Sequence, residues 1–417
     1  MAREMKDSGI EWVKRIPKEW QISSNSHLFS FEKKIVGNEW TKTQLLSLTK
    51  KGIVTKNIND EGGKQPESFS TYQQVHKKQL VMCLFDLDVS AVFSGVSNYD
   101  GMISPAYKVF SINQSLLYPK YIDYYFQAIF INRNYVMYSK SLRKTIDTDN
   151  FMSIKTIVPP LSEQQKIADY LDEKVKEIDN AIEKTKETIE LYKKYKQAII
   201  TEAVTKGLDL NAEMKDSGIE WAGKIPVNWS IRKGKYILNL LNRCVEENSG
   251  VVTCFRDGQV TLRENRRTEG FTNAVKEIGY QGVKPGDLVV HGMDGFAGAI
   301  GISDSIGKMS PIINVLDSNQ NKKYLMYYLR SMAFKNVFLA TATGIRERSC
   351  DLRWNKLANL EYLIPPLPEQ QKIADFLDKK CIYIDSLIEN KNNLLKEIEN
   401  YKKSLIYEYV TGKKEVK

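Results

Sequence analysis

Two stretches of about 45 residues repeat apolar side chains at steps of three and four, with no Gly or Pro inside the pattern. In the first the apolar positions are Ile167, Leu171, Val175, Ile178, Ile182, Ile189, Tyr192, Ile199 and Ala203. In the second they are Ile373, Leu377, Cys381, Ile384, Ile388, Leu395, Ile398, Leu405 and Tyr409, at a constant offset of 206. Such spacing predicts two long helices, each with the narrow apolar seam of a coiled coil rather than the wide stripe of a surface helix. A single seam cannot bury itself, so each helix needs a partner, and the other copy is the obvious one. At 1.5 Å per residue each would be roughly 65–70 Å long, which suits a spacer. Packed antiparallel, they would place one globular unit at each end of a stalk. Ser162 with Gln165 reads as a capping box for the first helix, and Pro368 suits the start of the second. Glycines at 207 and 412 are the expected stops.

The stretches before the helices alternate differently. Short β-type runs at Gln79–Leu84 and Tyr107–Ile112 are followed by an aromatic helical segment at Pro119–Tyr138. Later, β-type runs at Val251–Phe255, Asp287–Val290 and Ile312–Leu316 precede a helical segment at Lys322–Leu339. Landmarks correspond: Gly101, Ser104 and Pro105 with Gly307, Ser310 and Pro311, and Tyr124-Tyr125 with Tyr327-Tyr328. Little else is shared between these two regions. A second repeat opens each unit. EMKDSGIEW at Glu4–Trp12 recurs letter for letter at Glu213–Trp221, followed by Ile-Pro and a further tryptophan, Trp20 or Trp229. Tryptophans spaced by Pro and Gly read first as packing anchors and second as a recognition tag. The class is α+β, a tandem duplication with pseudo-two-fold character. The expected divisions are 1–158 (first globular unit with its docking segment), 159–207 (helix), 208–364 (second unit), 365–412 (helix) and a basic tail at 413–417.

Charge sharpens this picture. The chain of 417 residues carries a net +10, yet each long helix is net −1, so the surplus sits on the globular units. That is the footprint of polyanion binding. Candidate DNA contacts in the first unit are Lys42, Lys50, Lys51, Lys56, Arg143 and Lys144. In the second they are Arg256, Arg263, Arg266, Arg267, Arg346, Arg348 and Arg353. Arginine can engage guanine bidentately, whereas lysine mostly neutralises phosphate. Five cysteines form no C-x-x-C pair and read as reduced thiols. With no apolar leader and no run of 18 apolar residues, a cytoplasmic location without a membrane span is expected.

Enzyme signatures fall short. Gly301–Ser310 places five residues between its glycines and follows Lys308 with Met309, whereas a phosphate loop has four, then Lys and Ser/Thr. His291–Gly301 is glycine-rich but lacks G-x-G-x-x-G. The Pro-Pro pairs follow Val158 and Ile364, without the polar residue of an adenine methyltransferase loop. His27, His76 and His291 have no metal-ligand spacing. No catalytic residue, metal or bound cofactor is expected in this chain.

Taken together, PPLSEQQKIADYLD at Pro159–Asp172, PPLPEQQKIADFLD at Pro365–Asp378, the paired DSGIEW…IP…W segments and the duplicated layout resemble the specificity subunit (HsdS) of type I restriction–modification systems. The resemblance covers essentially the whole chain. It implies two target recognition domains, each reading one half of a bipartite, asymmetric double-stranded DNA target, with the helices setting the gap. It also implies two modification (methyltransferase, HsdM) subunits and restriction (HsdR) subunits as partners. These would hold S-adenosylmethionine, ATP and Mg and carry out adenine methylation and cleavage. The near-identical connectors then suggest docking surfaces at Trp12, Trp20, Gln164, Gln165, Trp221, Trp229, Gln370 and Gln371, with helix capping as the plainer role for the glutamines. A stand-alone nuclease or methyltransferase and a protein-binding scaffold are the competing readings.

Overall fold

The computed structural model describes residues 3–50, 52–58, 67–90, 92–139, 144–266, 278–340 and 352–416. Its class is α+β. The chain divides into two units, residues 1–186 with 393–417 and residues 187–392. Each unit therefore combines one globular segment with the opening part of one long helix and the closing part of the other.

In the first unit, strand Met5–Asp7 pairs with Arg15–Pro17 around the DSGIEW turn. Strand Gln21–Ser24 pairs antiparallel with Lys155–Val158, tying the start of the globular segment to its end. Between them lie two four-stranded sheets. One runs Phe29–Phe31, Lys108–Ile112, Leu80–Met82, Ser94–Val96; the other runs Gly52–Lys56, Leu45–Thr49, Gly101–Ile103, Gln73–Val75. Helix Pro119–Ile131 buries Tyr121, Tyr125, Phe126 and Ile129 against Phe110 and Phe151.

The second unit repeats this order strand for strand. Met214–Asp216 pairs with Lys224–Pro226, and Ser230–Lys233 with Glu361–Ile364. A sheet of Leu238–Leu240, Ile313–Ser318, Leu288–His291 and Ile300–Ile302 matches the first unit's aromatic sheet. Hairpin Val252–Cys254/Val260–Leu262 stands where Leu45–Thr49/Gly52–Lys56 stands. Even the parallel contact recurs, Val251 with Lys308 here and Leu45 with Met102 there. The shared scaffold thus extends well beyond the landmarks seen in the sequence. Alternation and turn position specify a sheet while leaving side-chain identity free to vary.

Both aromatic helices stop earlier than their patterns predict. Pro119–Ile131 ends before Arg133, at φ +57, and a short 3-10 turn at Asn134–Tyr138 follows. Lys322–Phe334 ends before Asn336, at φ +56, and resumes at Val337–Ala340. A left-handed residue interrupts the helical hydrogen-bond ladder, and apolar periodicity alone does not report it.

The long helices span Leu161–Lys206 and Leu367–Val410. Gly207 and Gly412 follow them at φ +76 and +68, a conformation that favours glycine at a helix end. The first helix begins at Leu161, so Ser162 lies inside it and does not cap it. In the first unit Ile167 and Leu171 share a core with Leu405, Ile406 and Val410, and the rings of Tyr170 and Tyr409 lie 4.6 Å apart. In the second, Ile200, Ala203 and Val204 share a core with Ile373, Leu377 and Cys381. Within each unit, then, the opening of one helix meets the closing part of the other, which is antiparallel pairing. No helix among the described residues is long and apolar enough to cross a membrane.

Candidate nucleic-acid interface

The repeated connectors bind one another inside each unit. In the first, Trp20 donates its indole N–H to Glu163 at 2.8 Å, and Arg3 pairs with the same carboxylate at 2.6 Å. In the second, Trp229 donates to Glu369 at 3.0 Å. Gln164 is buried; it accepts from the Tyr118 N–H at 2.7 Å and donates to the carbonyls of Leu116 and Pro159. Gln370 repeats this, accepting from the Asn321 N–H at 2.9 Å and donating to Pro365 and Gln320. Three residues past each repeated Ala-Asp, Asp172 and Asp378 accept from the hydroxyls of Tyr124 and Tyr327 at 2.9 and 2.8 Å. The Asp-Ser-Gly turns are self-contained, since Asp7 and Asp216 accept from the Gly9 and Gly218 N–H groups.

This corrects the docking assignment. Trp12, Trp20, Trp229, Gln164 and Gln370 are buried within their own units, Trp12 with its indole on Tyr138 at 2.7 Å, and offer no surface to a partner. Trp221 is half-buried against Tyr328, with ring centroids 5.5 Å apart. Gln165 and Gln371 are exposed; Gln371 bonds Asn321 and Asp375. Identical residues recur here because the same internal joint is built twice.

The basic candidates gather differently. Arg256 occupies the turn of the second unit's hairpin and pairs with Asp294 at 2.9 Å. Arg263 follows that hairpin, its Nε donating to Thr253 at 3.3 Å. Arg266 pairs with Asp257 at 2.8 Å, its guanidinium 4.2 Å from the Phe255 ring centroid. Arg353 is exposed and lies against Gly292, in the turn that also presents Asp294. Arg256, Arg263 and Arg266 thus sit on or just past one hairpin, and Arg353, ahead of helix Trp354–Leu357, lies against the turn that faces it. In the first unit the matching hairpin carries Lys50 just past its first strand and Lys56 at the end of its second. Lys42 closes a preceding 3-10 turn, and all three lysines form no ion pair among the described residues. Lys144 lies apart, at φ +50, its carbonyl bonded by the Leu87 N–H. Lys51, Arg143, Arg267, Arg346 and Arg348 lie outside the described residues. Sequence reasoning passed over Phe255, Asp257 and Asp294, which position the arginines. The Phe-Arg-Asp-Gly turn between two β runs was the available signal.

The enzyme near-misses resolve into sheet. Gly301–Ser310 spans strands Ile300–Ile302 and Gly307–Met309, with no helix for a phosphate loop to open. The ring Nδ1 of His291 accepts from the N–H groups of Met293 and Asp294, and burial holds its pKa below the ordinary value. No metal-ligating cluster occurs among the described residues.

A scaffold duplicated strand for strand, with basic hairpins at matching places and a helix pair within each unit, has the layout of a two-part protein that presents basic residues from equivalent positions. The model of the type I restriction modification DNA specificity domain matches residues 17–191 and 272–400, and the chain belongs to that family. The type I restriction enzyme MjaVIII specificity subunit of Methanocaldococcus jannaschii is 27% identical over 291 residues, 65% of each chain. The type I restriction enzyme StySPI specificity subunit of Salmonella potsdam is 21% identical over 316 residues, 72% of this chain and 66% of the relative. The match therefore spans just under two thirds of the length of these curated relatives. A chain solved in work on complex assembly and conformational transition of the type I R-M system has the same fold, with a TM-score of 0.68 at 14% identity over 95% of this chain and 98% of that one.

Proposed function

We propose that this chain is the DNA-reading subunit of a type I restriction–modification complex, each unit reading one half of a bipartite target. The observation that carries this is the matched placement of basic residues. Two hairpins of unrelated sequence, at the same position in one scaffold, present Lys50 and Lys56 in one unit and Arg256 and Arg263 in the other. A scaffold kept constant while its basic hairpin varies is what two different readouts require. Lysine suits phosphate neutralisation and arginine suits base edges. The surface pairs that hold Arg256 and Arg266 are worth about 0–1 kcal/mol, so redirecting either guanidinium to DNA is cheap.

Methyl transfer and cleavage would belong to modification and restriction subunits, which would hold S-adenosylmethionine, ATP and Mg. To methylate an adenine inside a duplex the base must be flipped out, so the reading units would also set which base enters a partner's pocket. The exposed Gln165 and Gln371, rather than their buried neighbours, remain as partner contacts at the helix starts. The test is to map methylated adenines across a genome with and without this chain, its modification partner present in both. One bipartite motif should be methylated only when the chain is present. Methylation of the same motif without it would contradict the proposal.

A further inference from the structure

In the second unit a recess of about 240 Å³ lies between the hairpin turn at Gly258, the helix Lys322–Phe334 at Arg330 and the paired long helices at Lys196 and Cys381. That is below the roughly 300–1,000 Å³ of pockets enclosing drug-sized ligands, so a nucleotide is too large and a small group fits. Three carboxylates line it, and each is already engaged. Asp257 pairs with Arg266 at 2.8 Å, Asp385 with Lys196 at 2.6 Å, and Asp378 with Lys323 at 2.5 Å and the Tyr327 hydroxyl.

Arg330 is the group left over. Its Nε is shielded from solvent without a hydrogen-bond partner, and among the described residues it forms no ion pair. Among the described residues, the one aromatic ring its guanidinium stands over is Phe334, 5.7 Å from the centroid. A shielded guanidinium with free donors is costly to maintain. The backbone is shaped to admit it nonetheless. Gly258, at φ +94, lies so close that a Cβ there would stand 2.0 Å from an Arg330 terminal nitrogen, while its carbonyl presses on Gly301.

The duplicated scaffold supplies a control. By the alignment of Tyr124-Tyr125 with Tyr327-Tyr328, Arg330 corresponds to Gln127 and Met326 to Asp123, so the first unit keeps the rim pair as Lys402–Asp179 but has a neutral amide and an added carboxylate where the second has its guanidinium. We propose that the second unit's recess is a phosphate-binding site, with Arg330 donating to the anion through its fork and Lys196 adding charge at the rim. The first unit's counterpart would not bind one. Because the turn at Gly258 is the one that carries Arg256, the phosphate would come from a DNA backbone or from free inorganic phosphate. The DNA arm alone rests on the function proposed above.

The experiment is titration of the intact chain with inorganic phosphate by calorimetry, comparing wild type with Arg330→Gln, the first unit's residue, and Arg330→Lys. Saturable binding of one phosphate is expected, weakened about tenfold or more in R330Q and less in R330K. No saturable binding to wild type, or equal binding to R330Q with the fold intact by circular dichroism, would overturn the proposal. The salt dependence of duplex binding then separates the sources. A log–log slope lower by about one in R330Q assigns a DNA phosphate, and an unchanged slope assigns the free anion. A chain that binds phosphate but no DNA would sink the proposed function and leave this site standing.

Discussion

Gln164 shows how much one side chain can hold at a joint. Its amide satisfies the Leu116 carbonyl and the Tyr118 N–H, just before helix Pro119–Ile131, and the Pro159 carbonyl, just before the first long helix. Gln164→Ala should cost about 2–3 kcal/mol, because buried backbone groups would be left without partners. Gln165→Ala, one residue on and exposed, should stay within about 0.5 kcal/mol. Urea unfolding of both variants checks the contrast, and equal losses would refute it. The repetition of Glu-Gln-Gln made these residues conspicuous in the sequence. Which of the two glutamines turns inward was not legible there, because it depends on a loop about 45 residues upstream in the chain. The buried tryptophans follow the packing reading and not the docking one, since recurrence marks a shared constraint without saying whether that constraint is internal or external.

Asp123 is a second case at this scale. Burial pushes its carboxyl up to about 7 from an ordinary 3.8, and its Oδ1 has no hydrogen-bond partner. Between about pH 4 and 7 the folded chain holds a proton that the unfolded chain has lost. Stability therefore falls as pH rises through that window and levels off above it. Asp123→Asn removes the titration, so its stability relative to wild type should improve by about 1–3 kcal/mol between pH 4 and pH 8. Unfolding midpoints at the two pH values test this, and a pH-independent difference would count against it.

At the scale of elements, the long helices interrupt their apolar seam with charge at matching places. Lys196 pairs with Asp385 in the second unit and Lys402 with Asp179 in the first, each at 2.6 Å. The two pairs are the same pair, with helices exchanged at the 206-residue offset. Polar residues in a seam cost stability and specify register and orientation. A double-mutant cycle on Lys196→Asp and Asp385→Lys should show coupling of about 0.5–1 kcal/mol, the double variant recovering most of what each single loses. Simple additivity would deny the pair a role in register. The seam itself was legible in sequence, because its period is a property of neighbouring residues, while Ile200, Val204, Ile406 and Val410 beside it join the cores only once the partner segments pack. The lysines were not legible, since a charged residue between apolar ones reads as exposed until the partner helix supplies Asp385.

Over the whole molecule, what recurs is a strand order and what varies is the chemistry mounted on it. The repeated connectors and the helix pattern were enough to read the duplication, the α+β class and the family resemblance. The hairpin correspondence between residues 45–56 and 252–262 was invisible, because its strands share pairing and not residues. Under the proposed function, that correspondence makes each unit an interchangeable reader, in keeping with a basic surplus on the units and not on the helices. It also locates where readout should change when sequence changes. The most direct test is to replace residues 21–158 with the equivalent segment of a relative, express the hybrid with its modification partner, and map methylated adenines. One half-sequence of the target should change, while the other half and the interval between them stay as in wild type. Alteration of both halves, or of neither, would contradict this.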